Sequence, residues 1–498
     1  MKRFLCLGAV LILSVVWAGC GDVFRPIIIP NPPQFPNPAA SHTIVTINDN
    51  GAVESGSAMS IDVAGDSISS IRNVGLNPVH AVQQSAAQML VVNQSNATLP
   101  EDSLTKLFFF GTTIQSTATI TLPVSYNGSG GLASAAPNFV ATTEAAQAYV
   151  LMPQYQPNSG TGTFPFIPSI AVVNTTSNNI VTTVPVSSNP AANPIAMAET
   201  PDGTKLYVAN AGNGTTGSWS LSAFNTKPSI STRTITAPPN AQCNEPPCAA
   251  PVWLAPRSDS QQVYVLESSG RLAYLDTALT AGPDTFMETD IIVPPVAPAT
   301  SATMWYDTIL NRLYIPGGDE VAIVDVSGSA PPPFSQVPVL PIPVVPASER
   351  DRSDPCSRTT PQALFVVAVT SLPDGSRAYV GAYYSDEAGN ICPQVTVITT
   401  SDNSIKTSLA IPGFPDATLP GQYHVPVCAT TRFRITMAAA GDSTRAYLAS
   451  CDGGNVNIVY TSTDSYVESA AGPASERAPI PPSTQPPPQN PVFMLAGP

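Results

Sequence analysis

Residues 193–210 read Asn193-Pro194-Ile195-Ala196-Met197-Ala198-Glu199-Thr200-Pro201-Asp202-Gly203-Thr204-Lys205-Leu206-Tyr207-Val208-Ala209-Asn210. An apolar run, a Pro-Asp-Gly turn and a β-rich run of similar length make this a two-stranded hairpin. An aspartate bonds its own turn backbone and a glycine accepts positive φ, so Asp202 and Gly203 are explained as turn residues without invoking chemistry. The unit recurs. Pro373-Asp374-Gly375 leads into Arg377-Ala378-Tyr379-Val380, and Gly441-Asp442-Ser443 leads into Arg445-Ala446-Tyr447-Leu448. Weaker copies end at Tyr149-Val150, Tyr264-Val265 and Tyr314-Ile315, and the weakest runs from Asn77-Pro78-Val79 to Leu90-Val91-Val92-Asn93. With the tyrosine position as marker the copies fall at 91, 149, 207, 264, 314, 379 and 447, which predicts seven units.

Between hairpins lies a second strand pair, as in Ile170–Asn174 with Ile180–Val184, or Val395–Ile398 with Ile405–Leu409. Four short strands repeated around an axis make a β-propeller, and no stretch carries the 3.6-residue apolar period of a helix. Tandem immunoglobulin-like sandwiches need about 100 residues per unit, more than these steps provide. The expectation is therefore an all-β chain, a seven-bladed propeller of four-stranded antiparallel blades over 41–468. Excess length is expected in loops such as 238–251 and 331–356. Two further strands, 58–63 and 68–71, are expected to join 435–460 in one blade and so close the ring. The repeated tyrosines are read as packing between blades rather than as a carbohydrate platform.

These hairpins resemble the YVTN repeat family, the YncE-like and surface-layer propellers, over roughly 56–468 and most clearly at 170–210 and 371–409. The resemblance implies a seven-bladed fold. It also implies enzymes of lactonase-like or quinoprotein type among the relatives, and single-stranded DNA binding for YncE itself.

The chain opens with Lys2 and Arg3, a mostly apolar run from Phe4 to Trp17, and then Ala18-Gly19-Cys20. A run of roughly 14 residues is short for a bilayer, which needs about 20, so 1–19 reads as a cleaved signal peptide. Its end resembles a lipobox, which implies that Cys20 becomes an acylated, palmitate-type anchor in the cell envelope. With Gly21 rather than aspartate following the cysteine, the same resemblance implies the outer membrane. Prolines at 26, 30, 32, 33, 36 and 38 make 20–40 a semi-extended tether. The proline-rich 469–498 is expected to be a disordered tail, although Pro491–Leu495 is apolar enough to dock.

Only 11% of residues are charged and the net charge is −14, a balance that argues against nucleic acid as a partner. Six cysteines remain once Cys6 and Cys20 are set aside. Outside the cytosol they are expected to pair locally: Cys243 with Cys248, Cys356 with Cys392, and Cys428 with Cys451. Catalytic signatures are thin. His42, His80 and His424 lie in no metal-ligand spacing and are read as solvent-facing or locally bonded; nucleophile-elbow and phosphate-loop motifs are absent from the sequence. Asp202, Asp374 and Asp442 are read as turn residues, and Asn48-Asp49-Asn50-Gly51 as a plain turn rather than a calcium loop. Trp253 and Trp305 fall in strands, whereas Trp219 follows a glycine-rich loop and is a candidate for exposure. The reading that follows is a monomeric, non-enzymatic, lipid-anchored propeller without cofactor or metal, binding a protein or glycan through its loops. The alternative is a lactonase-like or quinoprotein-type enzyme at the channel mouth.

Overall fold

The computed structural model describes most of residues 42–466 together with 490–497. Residues 1–41 and 467–489, and shorter segments including 96–100, 158–165, 237–246, 294–302 and 416–427, lie outside the described residues. The third repeat shows how a blade is built. Pro194–Glu199, Lys205–Asn210, Ser220–Asn225 and Ser231–Arg233 pair antiparallel in chain order. Met197 stands opposite Val208 and Ala198 opposite Tyr207. Asp202 Oδ1 accepts the Thr204 N–H at 3.1 Å, and Gly203 takes φ 63°. Asp374 and Asp442 cap their turns in the same way, through Ser376 N at 2.9 Å and Thr444 N at 3.0 Å.

All six residues of Lys205–Asn210 are buried, whereas the outermost strand of the preceding blade, Asn179–Pro185, is largely open. Inner strands are covered on both faces by neighbouring blades, so they read as continuous apolar runs rather than strict alternation. Outer strands meet water. Helical structure among the described residues amounts to short pieces such as the 3-10 turns Ala347–Glu349 and Pro355–Arg358. None of the helices among the described residues is long and apolar enough to cross a membrane.

The ring has eight blades, not seven. Blades 1 to 7 are the seven repeats, beginning with the inner strands Pro78–Ser85, Phe139–Glu144, Pro194–Glu199, Pro251–Pro256, Trp305–Asp307, Phe365–Ser371 and Ile435–Ala439. Blade 8 is assembled from both chain ends: Asn490–Ala496 is its inner strand, followed outward by Thr43–Asp49, Ser55–Asp62 and Ser67–Leu76. Its inner hairpin has no turn in the sequence, because Phe493 faces Ile47 and Leu495 faces Val45 across opposite ends of the chain. A count of hairpins therefore misses it. Strands 58–63 and 68–71 do not share a blade with 435–460, which completes its own sheet with Ser465–Tyr466. The boundary at 468 is corrected for the same reason, and the expected disordered tail is corrected over Asn490–Ala496, while 469–489 lie outside the described residues. The predicted loop 331–356 likewise contains the outer strand of blade 5, Ser335–Pro341.

The repeated tyrosines do pack between blades. Tyr207, Tyr379 and Tyr447 are fully buried. Each donates its hydroxyl proton to an aspartate of the next blade: Asp284 at 2.7 Å, Asp464 at 2.9 Å and Asp66 at 2.8 Å. The basic residue two positions earlier reaches the same carboxylate, as Arg445 does Asp66 at 2.9 Å. Asn178 and Asn403 replace the aspartate in two further interfaces, where they accept from Lys106 and Arg312 at 2.9 Å. A hydrogen bond to a charged group contributes about 1.5–3 kcal/mol, so these latches fix the pitch of the ring as well as its packing.

Inner strands run in one direction, so the two ends of the channel differ. Where they finish, the turns are short. Where they begin, the outer strand of one blade passes to the inner strand of the next over a longer stretch of chain, as from Pro341 to Phe365.

Candidate functional site

Aromatic rings line the channel at the end where the inner strands begin. His80, Phe139, Trp253 and Phe493 occupy comparable places near the starts of four inner strands, and their rings meet across the axis. His80 stacks on Phe139 at 3.9 Å between centroids and lies 4.8 Å from Phe493. Phe139 meets Trp253 edge-on at 6.0 Å. Phe433, from the segment leading into blade 7, completes the circuit, 6.3 Å from Trp253 and 5.2 Å from Phe493. Such tilted and stacked contacts are the favoured aromatic geometries. His80, Phe139 and Phe433 are buried, while Trp253 and Phe493 keep part of their surface open.

Arg432 lies in this aromatic wall. Its guanidinium stacks over Trp253 at 4.8 Å and over Phe433 at 5.4 Å. It donates to the carbonyls of Ile195 and Val252, at the starts of the inner strands of blades 3 and 4. No carboxylate of the described residues pairs with it, and its buried Nε has no hydrogen-bond partner. Protein surrounds the group although part of its surface reaches solvent, which places it along the channel rather than inside a core. Burial pulls its pKa down to about 9, so it remains a cation at neutral pH. His80 is pushed down to about 3, by burial first and by the Arg432 charge second. It is therefore neutral, and its Nδ1 accepts the Val140 N–H at 3.4 Å. That bond assigns the proton to Nε2, making His80 a hydrogen-bond donor and a poor base. The site thus offers one unneutralised cation, one neutral imidazole and exposed aromatic surface. In a water-poor setting such a charge attracts an anion more strongly than it would at an open surface.

The segment carrying Arg432 is held at both ends. Cys428 is bonded to Cys451, and Arg434 grips Asp452 through Nε at 2.5 Å and Nη2 at 2.7 Å. The Arg434 guanidinium also lies over Tyr383 at 5.5 Å.

Of the predicted site residues, Cys356–Cys392 and Cys428–Cys451 are paired, while Cys20, Cys243, Cys248 and His424 lie outside the described residues. Asp202, Gly203, Asp374, Gly375 and Asp442 sit at the short-turn end, away from the aromatic cluster. Cys356 and Cys392 lie near Asp386, but their sulfurs are tied up in the disulfide and the carboxylate caps Ala388 and Asn390 backbone N–H groups. Asn48 and Asp49 are not in a turn: they end a buried strand, and Asn48 Nδ2 donates to Ser57 Oγ at 3.2 Å. His42 is exposed; His80 is locally bonded but far from solvent-facing. Trp253 and Trp305 are in strands, and the part-buried Trp219 donates to the Pro247 carbonyl at 3.0 Å.

Sequence reasoning passed over Arg432, Phe433 and Phe493. A signal existed for one of them: Asn490-Pro491-Val492-Phe493 repeats Asn77-Pro78-Val79-His80, placing an aromatic where blade 1 has its histidine.

No known family profile matches the sequence, and no curated protein matches it either. Solved structures do. Residues spanning 92% of this chain align with 98% of AztD from Citrobacter koseri, at 10% identity and a TM-score of 0.50. The dihydro-heme d1 dehydrogenase NirN aligns over 91% of this chain and 74% of its own, at 9% identity and a TM-score of 0.52. The periplasmic gluconolactonase PpgL of Pseudomonas aeruginosa aligns over 84% and 91%, at 11% identity and a TM-score of 0.43. The expectation of a non-enzymatic binding or scaffold propeller is corrected at this point. NirN, a propeller similar to this chain, is named as a dehydrogenase, so a lack of sequence motifs is no ground for setting this chain apart from enzymes. What these proteins share with the chain is the β-propeller fold, built here from eight four-stranded antiparallel blades.

Proposed function

We propose that the chain is an enzyme whose active site lies at the long-connection end of the channel, where Arg432 receives negative charge that forms during reaction. The observation that carries this reading is the Arg432 guanidinium, enclosed by aromatic rings with no carboxylate of the described residues beside it. A small lactone suits such a site: it arrives neutral and turns anionic as it reacts. Water adds to the ring carbonyl carbon and gives up one proton to bulk water, and the carbonyl oxygen becomes an oxyanion facing Arg432. Collapse breaks the ring C–O bond; the leaving oxygen takes a proton, and a hydroxycarboxylate remains. Arg432 stabilises both the oxyanion and the product. Trp253 and Phe493 offer apolar surface to the ring, and neutral His80 positions rather than deprotonates. The substrate class is brought to this chain from the lactonase named above.

The test is ring opening of γ- and δ-lactones followed by acid release. R432Q is expected to lower kcat/KM by about 10²–10³-fold, with little change in melting temperature. Rates no higher than spontaneous hydrolysis in the unaltered protein would overturn the reading. The tyrosine-valine hairpins further support assigning the repeats to the YVTN type. We also infer export and acylation at Cys20 from the leader, with a monomeric body held at the envelope.

A further inference from the structure

We propose that the Cys428–Cys451 disulfide is the positioning element of the channel arginine, and that its reduction by a dithiol releases Arg432 from the aromatic wall. The consequence for activity rests on the function proposed above; the consequence for position does not.

Arg432 belongs to no sheet. It stands ahead of the inner strand of blade 7, yet its hydrogen bonds land across the channel on Ile195 and Val252, in blades 3 and 4. Long reach of this kind needs a fixed base, and both bases land on one turn of blade 7. Cys428 is bonded to Cys451, and Arg434 pairs with Asp452, the next residue. The turn is itself tied to the closing strand, because Asn490 Nδ2 donates to the Cys451 carbonyl and lies 3.7 Å from Cys428 Sγ. Phe433 resting on Phe493 adds a contact between the same segments. The disulfide sulfurs are buried among Val45, Ile47 and Val492. With the bond intact, Arg432 is confined to a short span between two anchors. With it open, the covalent anchor is gone and only the non-covalent ties of Phe433 and Arg434 remain, so confining the guanidinium costs more conformational entropy.

The exchange balances. Once local opening of the turn bares the buried sulfurs, a thiolate of the dithiol attacks one of them to give a mixed disulfide, and its second thiol displaces the protein sulfur. Cys428 and Cys451 each end as a thiol, and the dithiol leaves as a cyclic disulfide.

Trp253 reports the position directly, since Arg432 lies on its face. Its emission is isolated as the difference between the unaltered chain and W253F. The C428S/C451S double variant, which keeps Cys356–Cys392, is expected to shift that emission to longer wavelength. It is also expected to lower affinity for inorganic phosphate about tenfold, the equivalent of about 1.4 kcal/mol. D452N is expected to fall between. In R432Q, opening the disulfide should leave the Trp253 emission where the substitution already put it. A folded double variant with unshifted Trp253 emission overturns the proposal. If the double variant does not fold, D452N read before and after dithiothreitol decides in the same way. A shift without phosphate binding in either state keeps the positioning and sinks the anion site instead.

Discussion

At the residue scale, two buried groups set opposite demands on pH. Glu199 ends the inner strand of blade 3, is 3% exposed, and accepts the Thr143 N–H at 2.7 Å through one oxygen. Burial pushes its pKa up to about 8, with only partial relief from Thr143. A raised carboxyl holds its proton in the folded chain after the unfolded chain has lost it. Its contribution to stability is thus full below the ordinary carboxylate range and is lost as pH climbs toward 8. His80 works the other way. With its pKa pushed down to about 3, its contribution is present above about 6.5 and is lost on acidification. E199Q removes the first of these linkages. The variant should gain on the unaltered chain in melting temperature as pH is raised from about 4.5 to 8; a difference that does not change with pH would show that Glu199 is ionised in the fold.

Among elements, the strand Asn490–Ala496 carries more than its seven residues suggest. It pairs with Thr43–Asp49 and closes the ring, and Val492, Met494 and Leu495 are all under 10% exposed. Burying each such side chain contributes about 1.5–3 kcal/mol, so the three together rival the roughly 5–15 kcal/mol that separates a folded domain from its unfolded state. Loss of the strand would also bare the pairing edge of Thr43–Asp49, a template for association. A chain ending at residue 489 should therefore melt far lower or aggregate, and a synthetic 488–498 peptide should restore its melting temperature. Unchanged melting of the truncated chain would mean that the strand is dispensable.

For the whole molecule, the asymmetry of the ring decides where chemistry can occur. One end carries short turns tied to their own backbone and linked between blades, as where Asp202 N donates to Ser260 Oγ at 2.9 Å. The other carries the long connections, the disulfide Cys428–Cys451 and the aromatic wall with its arginine. The proposed envelope anchor is a property of the whole molecule as well. Mass spectrometry of the mature protein should find Cys20 as the first residue, bearing acyl chains; an intact leader at Met1 would remove the anchor from the account.

The repeating hairpin, its turn chemistry, the burial of the tyrosines and two of the three cysteine pairs were legible in the chain, because each depends on residues close in sequence or on a pattern that recurs. The eighth blade was half legible, in the echo of Asn77-Pro78-Val79 at Asn490-Pro491-Val492, but its hairpin joins residues at opposite ends of the chain and leaves no local turn to read. The candidate site was not legible at all. His80, Phe139, Trp253, Arg432 and Phe493 are dispersed over more than four hundred positions, and none has a distinctive neighbour. Only closure of the ring brings them to one axis, and only there does an ordinary arginine become a cation with no counter-charge among the described residues.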